Sequence, residues 1–343
     1  MSPATRARLR SPLFLTTLAL VVFVLLAGVL GHLGGDTPSA DAVAPAAPQR
    51  DAQVTTTTTT TTTNTAGGPS YVEPAPPPIA PRPQLPGGGY RVFGHHRFLV
   101  AYYGTAQTAS MGVLGASDPD TMQRRLMHAA RPFQQPGEQL QPVYELIVTV
   151  ADGSPGPDHD YSHDIPRALV EEYVRAAHRN GALLLLDIQT GRSPFPVVAK
   201  RWKWALEKPW VGLALDPEWR MGPHEVPGRV IGSVRAAEVN RTSAWLSRLV
   251  QRDGLPEKLF VLHEFRLSML PDIGKIVHRP GLAMMQHTDG FGTQGQKLAT
   301  YHAVARPHQF RQGFKLFYHW DVHRFTPAEV RRIRPAISFV SYQ

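Results

Sequence analysis

The sequence predicts an α/β fold, a (β/α)8 barrel of parallel strands, preceded by a membrane anchor and a disordered stalk. Three observations predict it. Between residues 90 and 343, eight short apolar runs alternate with amphipathic stretches. No hairpin signal joins one strand-like run to the next, so the strands should lie parallel with helical crossovers. Eight such units in about 250 residues is the size of a closed barrel. A doubly wound open sheet is the alternative, but "YYGTAQTASMGVLG" after the first run matches no glycine-rich phosphate loop.

Residues 1–34 come first. Arg6, Arg8 and Arg10 precede an apolar stretch from Leu13 to Leu33. A basic flank before roughly 20 apolar residues reads as an export signal long enough to span a bilayer. The arginines would remain inside and the rest of the chain outside, as a single-pass membrane protein. A cleavage-like "AVA" at Ala42 to Ala44 supports the secreted alternative. Residues 35–89 hold the threonine tract Thr55 to Thr63 and then "EPAPPPIAPRPQLPGGG". This composition buries too little apolar surface to fold and reads as an extended linker.

The barrel domain is expected over 90–343. Its runs are "FLVAYYG" (98–104), "VYELIVTV" (143–150), "ALLLLDIQ" (182–189), "VGLALDPEW" (211–219), "KLFVLHEF" (258–265), "GLAMMQH" (281–287), "FKLFYHW" (314–320) and "ISFVSYQ" (337–343). Helix signals fall between them. Asp164 and Pro166 open a stretch that closes at Gly181, and Ser233 opens another. Thr326-Pro327-Ala328-Glu329 is a capping box with proline at the first helical position. The eighth run leads directly to Gln343, so the expected barrel lacks its last helix.

Composition narrows the chemistry. There is no cysteine, which excludes disulfides, thiolate metal sites and a cysteine nucleophile. The formal charge of +9 favours an anionic neighbourhood, and nucleic acid is not expected, because no familiar nucleic-acid-binding signature occurs. Only 18% of residues are charged, yet acids, histidines and aromatics collect at the strand ends, where a barrel carries its site. They are Tyr103, Glu145, Asp187, Asp216, Glu218, Trp219, His263, His287, Asp289, Tyr318 and Trp320.

The stretch 211–219 is the most informative. Strand alternation would put Asp216 and Glu218 on one face, and Pro217 should end regular pairing at the rim. Glycoside cleavage needs a proton donor and a second group that stabilises positive charge. Glu218 is the candidate donor and Asp216 its partner. Tyr103, Trp219, Tyr318 and Trp320 offer faces for sugar rings. The bland reading is an ion network of Asp216 and Glu218 with Arg220 or Arg192, with His263 and His287 as satisfied core histidines. Two further readings stay open. A non-catalytic carbohydrate-binding barrel would keep the same rim. A divalent-metal-dependent hydrolase could use Glu145, Asp187, Asp216, His263, His287 and Asp289, although no local ligand motif supports it. No cofactor or metal is assigned.

"VAYYG" at 100–104, "LLLLDIQTG" at 183–191, "ALDPEW" at 214–219 and "MMQHTDGFG" at 284–292 occur in an order that resembles chitinase-type glycoside hydrolase barrels. That resemblance implies Glu218 as the acid, Asp216 as the preceding aspartate and Asp289 as the sixth-strand aspartate. The family's two earlier fourth-strand aspartates fall on Val211 and Ala214, and its sixth-strand tyrosine on Thr288. The expected partner is an envelope polysaccharide.

Overall fold

The computed structural model describes residues 82–343. The anchor and most of the linker expected from sequence lie outside these residues. Among the described residues no helix is long and apolar enough to cross a membrane.

Each of the eight predicted runs holds a strand, although the seventh begins three residues earlier than expected and ends at Leu316: β1 Arg97–Gly104, β2 Gln139–Ala151, β3 Leu183–Ile188, β4 Val211–Leu215, β5 Lys258–Glu264, β6 Leu282–Thr288, β7 Arg311–Leu316 and β8 Ile337–Tyr342. Each pairs in parallel with the next. β1 pairs with both β2 and β8, with Leu99 opposite Phe339 and Tyr102 opposite Tyr342, which closes the barrel. A short strand, Ser162–Asp164, adds antiparallel to the end of β2.

The crossovers are uneven. They carry α1 Pro119–Ala130, α2 Arg167–Arg179, α3 Phe195–Arg201, α4 Lys203–Leu206, α5 Ala236–Arg252, α6 Gln294–Val304 and α7 Pro327–Arg332. The expected box at Thr326 forms: its hydroxyl accepts from Glu329 N–H while the Glu329 carboxylate returns to the Thr326 backbone. Ser233 does not cap α5, whose N-cap is Arg235. Between β5 and β6 the crossover has only one-turn helices, Leu267–Met269 and Ile273–Lys275.

Two cores follow from strand alternation. The outward residues pack under the helices. The inward ones, including Leu99, Val143, Leu185, Val261, Met285 and Phe339, fill the barrel together with Leu85 and Val92. Leu85 corrects the sequence boundary, because it belongs to a segment whose proline and glycine content reads as linker. Arg82 donates to Gly254 O at 3.0 Å, and Arg97 donates to Pro86 O at 3.0 Å and to Gly88 O. The segment closes the barrel floor.

A chain beginning at residue 90 should therefore be less stable than one beginning at residue 82. It loses the burial of Leu85 and two acceptors of the enclosed Arg97. The expected cost is about 2–3 kcal/mol, a melting point lower by roughly 4–10 °C. Equal melting of the two chains would show that 82–89 contributes nothing to the floor.

Candidate functional site

Two residues above the apolar floor, the inward positions become polar on every strand. Ala101 is followed by Tyr103, Val143 by Glu145, Leu185 by Asp187 and Ala214 by Asp216. Val261 leads to His263, Met285 to His287, Gly313 to Lys315 and Phe339 to Ser341. Each barrel wall thus ends in a polar side chain at its C-terminal mouth, the usual place for a barrel site. All eight are buried, with exposures of 0–3%.

Ionic contacts organise this layer. Asp289, just past β6, accepts from His263 Nδ1 at 2.7 Å and Lys315 Nζ at 3.1 Å. The other imidazole nitrogen of His263 lies 3.2 Å from Glu145 Oε1, off the line of a hydrogen bond. The Lys315 ammonium also sits 3.5 Å above the Tyr103 ring, and the Tyr103 hydroxyl donates to Asp187 Oδ2 at 2.7 Å. Gln189 donates to the same hydroxyl at 3.3 Å. His287 packs edge-on to His263 with ring centroids 5.4 Å apart, its Nε2 2.6 Å from Ser341 Oγ and its ring against Phe339. Gly313 makes that placement possible, because a Cβ there would meet His287 Nδ1 at 2.2 Å.

The proton distribution follows from burial and neighbours. Burial would raise the pKa of Asp289, but His263 and Lys315 outweigh it and hold the group far below the carboxylate range. For Glu145 burial is likewise outweighed, mainly by His263, and its pKa is lowered. Burial opposes the charge on His263 and Lys315, yet Asp289 leads the carboxylates that raise both. Burial pushes Asp187 up to about 7 and Asp216 up to about 6. It pushes His287 down to about 4. Near neutral pH two anions, Glu145 and Asp289, face two cations, His263 and Lys315. Asp216, at about 6, is mostly ionised near pH 7 and Asp187, at about 7, partly so, and the carboxylates of the layer outweigh its two cations.

Glu218 stands at the edge of this layer. It does not share a strand face with Asp216, because β4 ends at Leu215 and Asp216 caps a one-turn helix, Pro217–Trp219, by accepting from Glu218 N–H at 3.3 Å. The expectation from strand alternation is corrected here. Pro217 ends the pairing as expected, and the turn rather than the pleat juxtaposes the acids. Gly232 N–H donates to Glu218 O at 2.7 Å. A Cβ at Gly232 would meet the carbonyls of Pro217, Glu218 and Arg220 at 2.6 Å, so the loop closes over this turn only because residue 232 is glycine. Glu218 is half-buried as a residue, whereas the layer beside it is fully buried. Burial first, then Asp216 and Asp289, raises its pKa well above the ordinary value.

The bland ion-network reading fails at both of its arginines. Arg220 pairs with Glu238 at 2.9 Å, and Arg192 lies over Tyr161 and donates to Glu225 O at 3.0 Å. Neither touches Asp216 or Glu218.

No family model matches the chain, and no curated protein matches it. A solved structure similar to it is the dihydropteroate synthase of Burkholderia cenocepacia, 13% identical, covering 71% of this chain and 85% of that one, with a TM-score of 0.28. The closed ring of eight parallel strands makes the chain a TIM-like barrel.

Eight of the residues singled out by sequence come together in this barrel mouth: Tyr103, Glu145, Asp187, Asp216, Glu218, His263, His287 and Asp289. Trp219 is half-buried in the turn that carries Glu218. Two aromatic expectations change. Tyr103 has a face taken by Lys315. Tyr318 packs outside the barrel, stacked on Tyr342 at 5.3 Å and covered by Arg324, so it does not reach the mouth. Trp320 is 43% exposed and lies 6.3 Å from Phe291, whose ring is 5.7 Å from Phe317. Phe291 sits in the loop after β6, inside "MMQHTDGFG" but outside any periodic pattern. Lys315, a lysine inside a buried strand, was the visible sign of the ion cluster. Lys297 of α6 was unmarked. It reaches back to Asp321 at 3.0 Å, to Gly290 O at 2.6 Å and to Lys315 O at 2.8 Å, tying the ends of β6 and β7 together.

Several buried atoms of the layer have no hydrogen-bond partner: both oxygens of Glu145, Oδ1 of Asp187 and of Asp289, and Nδ1 of His287. Buried polar atoms are normally satisfied, so such a cluster marks a place built for something other than stability. Among the described residues no three His, Asp or Glu side chains are grouped as metal ligands, and the cations among the acids are His263 and Lys315.

Proposed function

We propose that this barrel is a glycoside hydrolase of the chitinase-like, carboxylate acid/base type, acting on an envelope polysaccharide that bears amino sugars. Glu218 is its proton donor. The observation that carries the reading is the placement of Glu218: a carboxyl on the turn at the barrel mouth, beside Asp216, without a salt-bridge partner, its pKa raised by burial and by Asp216 and Asp289. A carboxyl with a raised pKa can give a proton to a leaving oxygen. Asp216, next to it and raised to about 6, can accept or share that proton. The excess of carboxylates over cations in the layer supplies the negative field that an oxocarbenium-like centre needs. Trp219, Trp320 and Phe291 offer apolar ring surface for a sugar.

The test is release of reducing ends from a panel of chitin-like and wall oligosaccharides, and its dependence on Glu218. Binding without cleavage across the panel would replace the enzyme with a carbohydrate-binding barrel. That second reading draws on the complete enclosure of Glu145 and Asp187. A metal-dependent hydrolase would instead lose activity in chelator and carry a stoichiometric ion by elemental analysis.

The location belongs to the same proposal. Residues 13–33 would anchor the chain in the membrane with the barrel outside. Protease added to intact cells should then remove the barrel. A barrel protected until the cells are lysed would overturn both the anchor and the envelope substrate.

A further inference from the structure

A groove of about 460 Å³ runs along the outside of the barrel between α3, α5 and the segment before β6. Arg241, Ala244, Trp245 and Arg248 supply one stripe of α5 to it, at the spacing that puts residues on one helix face. Lys200 of α3 and Arg279 complete the lining, so four cations share the groove with no carboxylate.

The acids closest in sequence to this wall are engaged elsewhere. Glu238 is held by Arg220 at 2.9 Å and by Phe195 N–H at 2.8 Å. Asp272 accepts from Ala236 N–H at 2.8 Å and lies 3.8 Å from Arg235. None of the four lining cations makes a salt bridge among the described residues, although many arginines elsewhere on the barrel do. The buried Nε of Arg279 has no acceptor at all.

The groove wall is fixed rather than loose. Asn240 accepts from Val277 N–H at 2.8 Å and donates to Lys275 O at 2.9 Å, pinning that segment to α5. Four like charges held along a pinned concave wall repel one another, and an anion relieves the repulsion.

We propose that this groove binds a linear polymer of phosphodiesters. Guanidinium forks match phosphate oxygens in pairs. Arg241 and Arg248 are two helical turns apart, about 10 Å along the axis, which spans successive charges of a chain better than one isolated anion. The concave shape suits a strand laid between helices, and Trp245 offers apolar surface between the charges. The groove is distinct from the barrel mouth, so it would hold an anionic polymer while the site works on another segment or another chain.

The test uses the full chain in neutral detergent, titrated with a poly(glycerol phosphate) oligomer. Arg241→Gln with Arg248→Gln should weaken binding at least tenfold and leave melting unchanged or slightly raised. Arg124→Gln with Arg332→Gln removes the same net charge from exposed arginines on other faces and should change binding less than twofold. Hyaluronate, a carboxylate polymer, and short-chain phosphatidylglycerol serve as competitors and should compete poorly at equal charge. Equal weakening by both double variants would show a general charge effect and overturn the site. Competition by hyaluronate as strong as by the phosphate oligomer would overturn the phosphate specificity. Competition by the monomeric lipid headgroup at equal phosphate would overturn the polymer in favour of a headgroup site.

Discussion

Glu218→Gln is expected to remove about 10²- to 10⁴-fold of the turnover, the usual effect of losing a general acid, while sugar binding and melting change little. The amide keeps the size and polarity of the acid. The backbone around it is fixed independently, by Asp216 accepting from Glu218 N–H and by Gly232 donating to Glu218 O. No cation is left unpaired by the change, since Arg192 and Arg220 are engaged elsewhere. What the variant lacks is a transferable proton.

The pH dependence carries its own sign. The donor must be protonated, so the wild-type rate should fall as pH rises through the raised folded pKa of Glu218. Stability follows the same group. A pKa raised on folding contributes stability that is complete below the unfolded value, about 4.3, and is lost as pH rises through the folded value. The Glu218→Gln variant has no such group to lose over that window, so it should melt at or above the wild type on the alkaline side. Full activity in Glu218→Gln would move the acid elsewhere. Melting many degrees lower would make the turn a structural element. Asp216→Asn should also slow turnover, by an amount set by how far the pair shares one proton.

The fold was legible because each strand carries a short apolar run and, along it, the inward polar residue follows an inward apolar or glycine position by two. The same period shows why Tyr318 misleads. Counting from the inward Lys315, residue 318 falls on the outer face, where it meets Tyr102 and Tyr342. At Asp216 the period stops applying, because Pro217 cannot continue the ladder and the chain turns instead. Arg220 looks like a partner for Glu218 by sequence proximity. Its actual partner, Glu238, arrives from α5, and nothing local announces that crossing. Leu85 was hidden by its setting: one leucine among prolines and glycines carries no periodicity, yet a barrel floor needs a single apolar plug.

Lys315→Met is expected to cost about 3–5 kcal/mol, the range for leaving a buried charge without its partner, and to lower the melting point by roughly 6–20 °C. Methionine retains the length and apolar stem of the side chain, so packing against Tyr103 and Phe317 survives while the ammonium is lost. Asp289 then keeps only His263, and Glu145, Asp187 and Asp216 lose the cation that tempers their mutual repulsion. The remedy available to the layer is protonation. Asp187 and Asp216, already raised to about 7 and about 6, should rise further. Carboxyls with raised folded pKa values gain stability as pH falls towards their unfolded values, about 3.9. The deficit of the variant should therefore shrink between pH 7 and pH 5. Asp289→Asn in the same chain removes the anion that Lys315 was holding, and the double variant should melt above Lys315→Met alone, a coupling expected for groups in direct contact. Thermal melts of the three variants at both pH values check this. A Lys315→Met protein that melts with the wild type at pH 7 would mean that the carboxylates do not rely on this ammonium, and the ion pairing assigned to the barrel mouth would be wrong.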